Sequence, residues 1–210
     1  GKSVCISAIT LSLVMNNRPE DLKLVMIDPK MVELSRFAGL PHIIGKPESD
    51  MERLPAVLKW VVNEMERRYK KFSELGSRNL ADYNEAMKRR EEEPLPRIVV
   101  MIDELADMMM QSPIETEKQI CRLAQMARAT GIHMVVATQR PSVDVVTGLI
   151  KANFPARISF AVASAMDSRV ILDQVGAESL LGHGDMLFQN PETGQPQRIQ
   201  GCFVSDREVE

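Results

Sequence analysis

Ile98-Val99-Val100-Met101-Ile102-Asp103-Glu104 is an apolar run that ends abruptly in two acids. A strand of a parallel sheet, covered by helices on both faces, reads as such a continuous apolar run. Open α/β sheets place ligands at the carboxyl ends of their strands. Two carboxylates there can do separate work. Asp103 can hold a Mg²⁺ ion, directly or through water, and Glu104 can polarise a water. The opening residues, Gly1-Lys2-Ser3, match the tail of a phosphate-binding loop. The Lys2 ammonium can reach β and γ phosphates, and the Ser3 hydroxyl can complete the Mg²⁺ shell. Each half has a plain alternative: Gly-Lys-Ser arises by chance, and an acid pair can be a solvated strand end. Together, one nucleotide fold apart, they read as a nucleoside triphosphatase. The strand and glycine-rich turn of a phosphate loop are then expected upstream of Gly1.

At 210 residues the chain is long enough to bury one sizeable core. Hydrophobic residues make up 44% and aromatics only 4%, so aliphatic and Met side chains must do the packing. A net charge of −3 announces no global field for nucleic acid, and any such contact has to come from local basic loops. Cys5, Cys121 and Cys202 lack metal-type pairing and read as reduced thiols of a cytoplasmic protein. His42, His133 and His183 form no ligand cluster. No apolar stretch reaches membrane-spanning length, so this segment is expected to make no membrane contact.

Periodicity predicts helices over 3–15, 51–75, 115–130 and 168–175, and strands over 22–27, 98–102, 132–138, 158–162, 184–188 and 197–204. Residues 86–96 are charged and read as a solvated helix end and loop. Strands alternating with helices predict an α/β fold: one domain over 1–210 with a mostly parallel central sheet covered on both faces.

Several motifs, in order, resemble the FtsK/SpoIIIE family of double-stranded DNA translocases. They include Asp28-Pro29-Lys30-Met31-Val32-Glu33-Leu34, Glu64-Met65-Glu66-Arg67-Arg68-Tyr69 and Asp103-Glu104-Leu105-Ala106-Asp107. Arg122-Leu123-Ala124-Gln125-Met126-Ala127-Arg128-Ala129, Thr138-Gln139-Arg140-Pro141-Ser142 and Leu180-Leu181-Gly182-His183-Gly184-Asp185-Met186-Leu187 continue the likeness along the chain. The resemblance implies a RecA-like P-loop motor domain that assembles as a homo-hexamer around duplex DNA. It implies movement along that DNA by ATP hydrolysis with Mg²⁺, in chromosome segregation at cell division or sporulation. The full-length family member is membrane-anchored, with the motor on the cytoplasmic face. The stretch 85–97 is shorter than the insertion some members carry, and the family's winged-helix DNA reader is not among the motifs found.

The resemblance also implies roles. Gly1, Lys2 and Ser3 bind nucleotide, and Ser3 and Asp103 hold Mg²⁺. Glu104 orients the attacking water, unless it is a second acid of the metal shell. Gln139 senses the γ-phosphate, where a lone Gln would read as a strand-end cap. Arg128 is the finger inserted into the neighbouring subunit's site, with Arg157 as the fallback; its plain alternative is a favourable charge at a helix end. Arg140 and Lys151 bracket one DNA-contacting loop and Arg169 lies in a second, although Arg169 could equally be a surface arginine at a helix start. Ala165 stands where relatives often carry Lys. Two other functions stay open: a related ring ATPase that exports proteins, which shares Thr-Gln-Arg-Pro-Ser, and a non-hydrolysing interaction domain. The run Gly148–Asn153 followed by Pro155 favours DNA over export, and Lys2, Asp103, Glu104 and Gln139 together argue against the third.

Overall fold

The computed structural model describes residues 1–209. The opening apolar run forms strand β2 (Arg97–Ile102), buried at every position after Arg97. Parallel neighbours flank it on both sides, β1 (Leu22–Ile27) and β3 (Ile132–Val136), in the order β1-β2-β3. The register pairs Ile27 with Ile102 and Ile102 with Val136, so all three strands end together.

Side chains of a strand alternate between faces, and this alternation divides the core in two. Ile98, Val100 and Ile102, with Val25 and Ile27, pack into one cluster with Leu58, Val61 and Met65 of α2 (Leu54–Leu75) and Ile120 and Leu123 of α5 (Pro113–Met126). Val99 and Met101, with Leu22, Leu24 and Met26, pack on the other face with Ile6 of α1 (Lys2–Asn16) and Phe37. Helices therefore cover both faces, as expected.

Helix α2 ends where Gly76 takes a left-handed conformation and its N–H reaches the carbonyls of Phe72 and Ser73, the usual use of glycine at a helix end. A further helix, α3 (Leu80–Arg89), follows. The Asn79 side chain caps it through the Asp82 N–H, and Tyr83 stacks on Phe72 with centroids 5.1 Å apart. Residues 90–96 form the expected charged link. The helix predicted over 115–130 is shorter: α5 stops at Met126, and Arg128–Thr130 form a separate 3-10 turn. Gly131 closes that turn at φ +77, where an added Cβ would meet Leu80 at 2.2 Å.

Besides α3, the short helices α4 (Leu105–Gln111), α6 (Gly148–Asn153) and α8 (Asp206–Val209) have no counterpart among the helices that periodicity predicts. The late strands β4 (Arg157–Phe160), β5 (Asp185–Gln189) and β6 (Pro196–Gln200) make a separate antiparallel sheet and do not extend the parallel one. The connection at 190–195 explains part of this, since a parallel crossover needs a dozen residues or more. Helix α7 (Ala165–Leu172) starts three residues before the predicted 168, with Ser164 as its cap.

Candidate active site

Because β1, β2 and β3 end together, they bring three short segments to one rim: Asp28-Pro29-Lys30, Asp103-Glu104 and Ala137-Thr138-Gln139. The N-terminus of α1 lies at the same place. From it the Lys2 ammonium donates to the Asp103 carboxylate at 2.9 Å and to the Asp103 carbonyl at 2.7 Å. Lys2 and Asp103 are thus in direct contact, Ser3 and Glu104 are their neighbours in the chain, and Gly1 packs against the Phe160 ring. The first turn of α1 contains no acid, which leaves its positive dipole end free for an anion.

Burial is the main influence on Asp103, which is 3% exposed. It pushes the carboxyl above its usual range; the Lys2 hydrogen bond opposes this, and the charges of Asp28 and Glu33 add to it. Anions therefore crowd this rim and further positive charge is favoured there. Among the described residues no group of three His, Cys, Asp or Glu side chains forms a ready-made metal cage. One carboxylate and one hydroxyl nevertheless suit Mg²⁺, which is usually held by one or two protein carboxylates together with substrate phosphates.

Glu104 is buried more deeply, at 1% exposed, and caps α4 through the Ala106 N–H. Its Oε1 also accepts the Thr138 hydroxyl, and its Oε2 accepts the Gln139 N–H at 2.9 Å. The Lys30 ammonium stands 4.0 Å from the same Oε2. Gln139 thus touches Glu104 through its backbone, while its side chain is exposed. Two further participants, Thr138 and Asp28, stand within the family motifs, which assign neither a role. Asp28 is fully buried; its Oδ2 accepts from Leu34 N–H, Ser35 N–H and the Ser35 hydroxyl, which fixes the turn after β1.

Of the remaining candidates, Arg140 directly follows the rim, its N–H held by the Thr138 hydroxyl. Arg128 is exposed on the 3-10 turn before β3, at the opposite end of the sheet. Arg157 is committed to its own fold, donating to the carbonyls of Phe154, Lys151 and Ile171 and to Asp173. That network leaves the fallback finger little freedom to reach a neighbour. Arg140 is exposed in the loop after β3. Lys151 does not bracket that loop; it lies inside α6, its ammonium 2.6 Å from Asp173. Arg169 likewise lies within α7 and not in the loop before it, and it is exposed. Hydrogen bonds from Lys151 and then Arg157 hold the Asp173 carboxyl below the usual range.

The FtsK/SpoIIIE family model matches residues 1–143. The whole chain is 54% identical to a DNA translocase FtsK from Sporosarcina ureae and 54% identical to the DNA translocase SpoIIIE of Bacillus subtilis, spanning 28% and 27% of those proteins. Among solved structures it is similar to the pCW3 conjugation coupling protein TcpA, in monomer form with ATPgS. That likeness has 30% identity and a TM-score of 0.84 over 99% of this chain and 58% of that one. The cytoplasmic domain of the Thermomonospora curvata type VII secretion ATPase EccC is also similar, with 26% identity and a TM-score of 0.84 over 98% of this chain and 24% of that one. The fold is that of a P-loop ATPase motor domain, and on these matches the chain belongs to the FtsK/SpoIIIE family.

Proposed function

We propose that this chain is the ATP-hydrolysing motor domain of a double-stranded DNA translocase. The observation that carries the proposal is the meeting of Lys2, Asp103 and Glu104 at the carboxyl ends of the parallel strands, in a chain whose relatives along its full length are DNA translocases. Lys2 and the N-terminus of α1 would hold the phosphates, and Ser3 and Asp103 would hold Mg²⁺. Bound there, Mg²⁺ would neutralise charge developing on the transferred phosphoryl group. Glu104 would orient the attacking water, and the exposed Gln139 amide would sense the γ-phosphate.

Arg128 fits a role in a neighbouring copy. Strand β3 lies between it and Gln139, and five residues at about 3.3 Å each separate them by roughly 16 Å. An arginine side chain does not span that distance, so Arg128 would act on another subunit's nucleotide. This is the arrangement of a closed ring, here a homo-hexamer around duplex DNA. Arg140 and Arg169 are exposed cations suited to phosphate contact. Lys151 would join them by exchanging Asp173 for a phosphate, a small cost because exposed ion pairs are worth about 0–1 kcal/mol. Chromosome segregation at division or sporulation, on the cytoplasmic face of the membrane, is the matching process. Within this chain no helix of the described residues is long and apolar enough to cross a membrane.

The test is ATP turnover by the full-length protein with and without linear duplex DNA, over a range of salt. Strong stimulation that fades as salt rises is expected, because phosphate contacts release counterions. Turnover indifferent to duplex DNA would refute the translocase reading and favour the export-ATPase alternative, the class that the type VII secretion ATPase EccC represents.

A further inference from the structure

Both oxygens of the Glu104 carboxylate are already engaged. Oε1 accepts the Thr138 hydroxyl and the Ala106 N–H at 3.3 Å; Oε2 accepts the Gln139 N–H and faces Lys30. A carboxylate offers about four acceptor sites, and both of those on Oε1 are filled here, in a group only 1% exposed. Oε1 must lose one of these partners before it can accept a water.

The Thr138 hydroxyl carries a single proton, and Glu104 receives it. The same oxygen accepts the Arg140 N–H at 3.0 Å. One hydroxyl therefore joins the candidate water-orienting acid to the backbone of a candidate DNA-contacting residue. A second acceptor is also within reach, since the Arg140 carbonyl lies 3.5 Å from the Thr138 oxygen. At that distance it is a marginal partner, but a small shift of the Arg140 segment would shorten it. The hydroxyl proton could then turn from Glu104 to the carbonyl.

We propose that Thr138 is a positioning residue that holds Glu104 away from the attacking water until movement of the Arg140 segment releases it. The inference rests on the function proposed above and gives it a regulatory step. A DNA phosphate drawing on the Arg140 side chain shifts the Arg140 backbone, the Thr138 hydroxyl changes partner, and Glu104 Oε1 regains a free lone pair. No bond other than hydrogen bonds is made or broken. Hydrolysis is thereby restrained when no DNA is held.

The experiment measures ATP turnover of full-length Thr138→Val with and without saturating duplex DNA. Val keeps the shape of Thr and removes the hydroxyl. The DNA-free rate is expected to rise about tenfold, the factor associated with losing one hydrogen bond to a charged group, while the DNA-saturated rate changes little. The stimulation ratio then falls by the same factor. Thr138→Ser, which retains the hydroxyl, should keep the ratio of the unmodified protein. A stimulation ratio unchanged in Thr138→Val overturns the inference. So does a parallel fall of both rates, which a purely structural role would give. Should Thr138→Val not fold, Thr138→Ala is judged by the same ratio. Absence of turnover in the unmodified protein overturns the functional reading and this inference with it; normal turnover with an unmoved ratio overturns this inference alone.

Discussion

Glu64 and Arg68 of α2 form an ion pair whose two halves are not equivalent. Arg68 is 1% exposed; its Nε donates to Glu64 Oε1 at 2.8 Å and its Nη1 to the Thr130 carbonyl at 2.8 Å. Arg68 therefore props the 3-10 turn that carries Arg128. Glu64 has a second partner, the half-exposed Arg67, which binds both its oxygens at 2.7 and 2.8 Å. Arg68→Met keeps most of the buried stem and leaves Glu64 paired with Arg67. The loss is mainly the charged bond to Thr130 and part of the ion pair, about 1.5–3 kcal/mol. Glu64→Ala leaves Arg68 as a buried charge without a counter-ion, which costs about 3–5 kcal/mol. Urea unfolding followed by circular dichroism should rank the midpoints unmodified, Arg68→Met, Glu64→Ala. The pair also sets a pH dependence. Burial raises the Glu64 carboxyl, but hydrogen bonds from Arg67 and Arg68 outweigh burial and hold it below the usual carboxylate range. A carboxyl lowered in the folded state contributes stability above the unfolded value and loses it as pH falls through the folded one. The gap between unmodified protein and Glu64→Ala should thus be full at neutral pH and narrow as pH falls through and below the usual carboxylate range. An Arg68→Met variant as unstable as Glu64→Ala, or a gap independent of pH, would refute the reasoning.

Lys2→Ala removes the charge proposed to meet the phosphates and should abolish ATP turnover in the full-length protein with the fold intact by circular dichroism; undiminished turnover with DNA present contradicts the phosphate-loop assignment. Glu104→Gln keeps size and polarity without the charge, so it should bind ATP yet hydrolyse it at least about a hundredfold more slowly, in the range typical of losing a general base. Loss of nucleotide binding in an equilibrium assay would instead place Glu104 in the metal shell. Arg128→Ala should leave nucleotide binding by an isolated subunit intact and reduce turnover of the assembly by about a thousandfold or more, as removal of an arginine finger does. Mixing Lys2→Ala with Arg128→Ala subunits should restore activity that neither shows alone, and mixed assemblies confirmed by mass that stay inactive would exclude a role in trans.

The long, strongly patterned elements were legible in the sequence. Strand β1 has the predicted bounds 22–27, and β2 follows its apolar run because both faces are buried. Helices α4 and α6 are short, and a single turn or two gives periodicity too few residues to register. Helix α3 could have been found from Asn79, whose cap on Asp82 is a local signal. Strand partners are a different matter. The alternation in β4, β5 and β6 suits parallel and antiparallel pairing alike, and only the short link at 190–195 discriminates. In the site, Lys2, Asp103 and Glu104 stand next to recognisable spacing. Thr138 acquires its contact with Glu104 because β2 and β3 end in register, which no local stretch encodes.

The division of β2 between the two halves of the core has a dynamic consequence. Neither half can open without disturbing the strand they share, so the amides of β2 should exchange with solvent only through near-global unfolding. Asp103 and Glu104 are tethered directly to that slow unit. The stretch from Ser142 to Asp144 lies beyond the end of β3 and is exposed at each position. Deuterium should enter it early. The hydrogen bonds from Thr138 and Gln139 to Glu104 therefore join the slow unit to an exposed loop, a place where a change on the soft side can be registered without loosening the hard one.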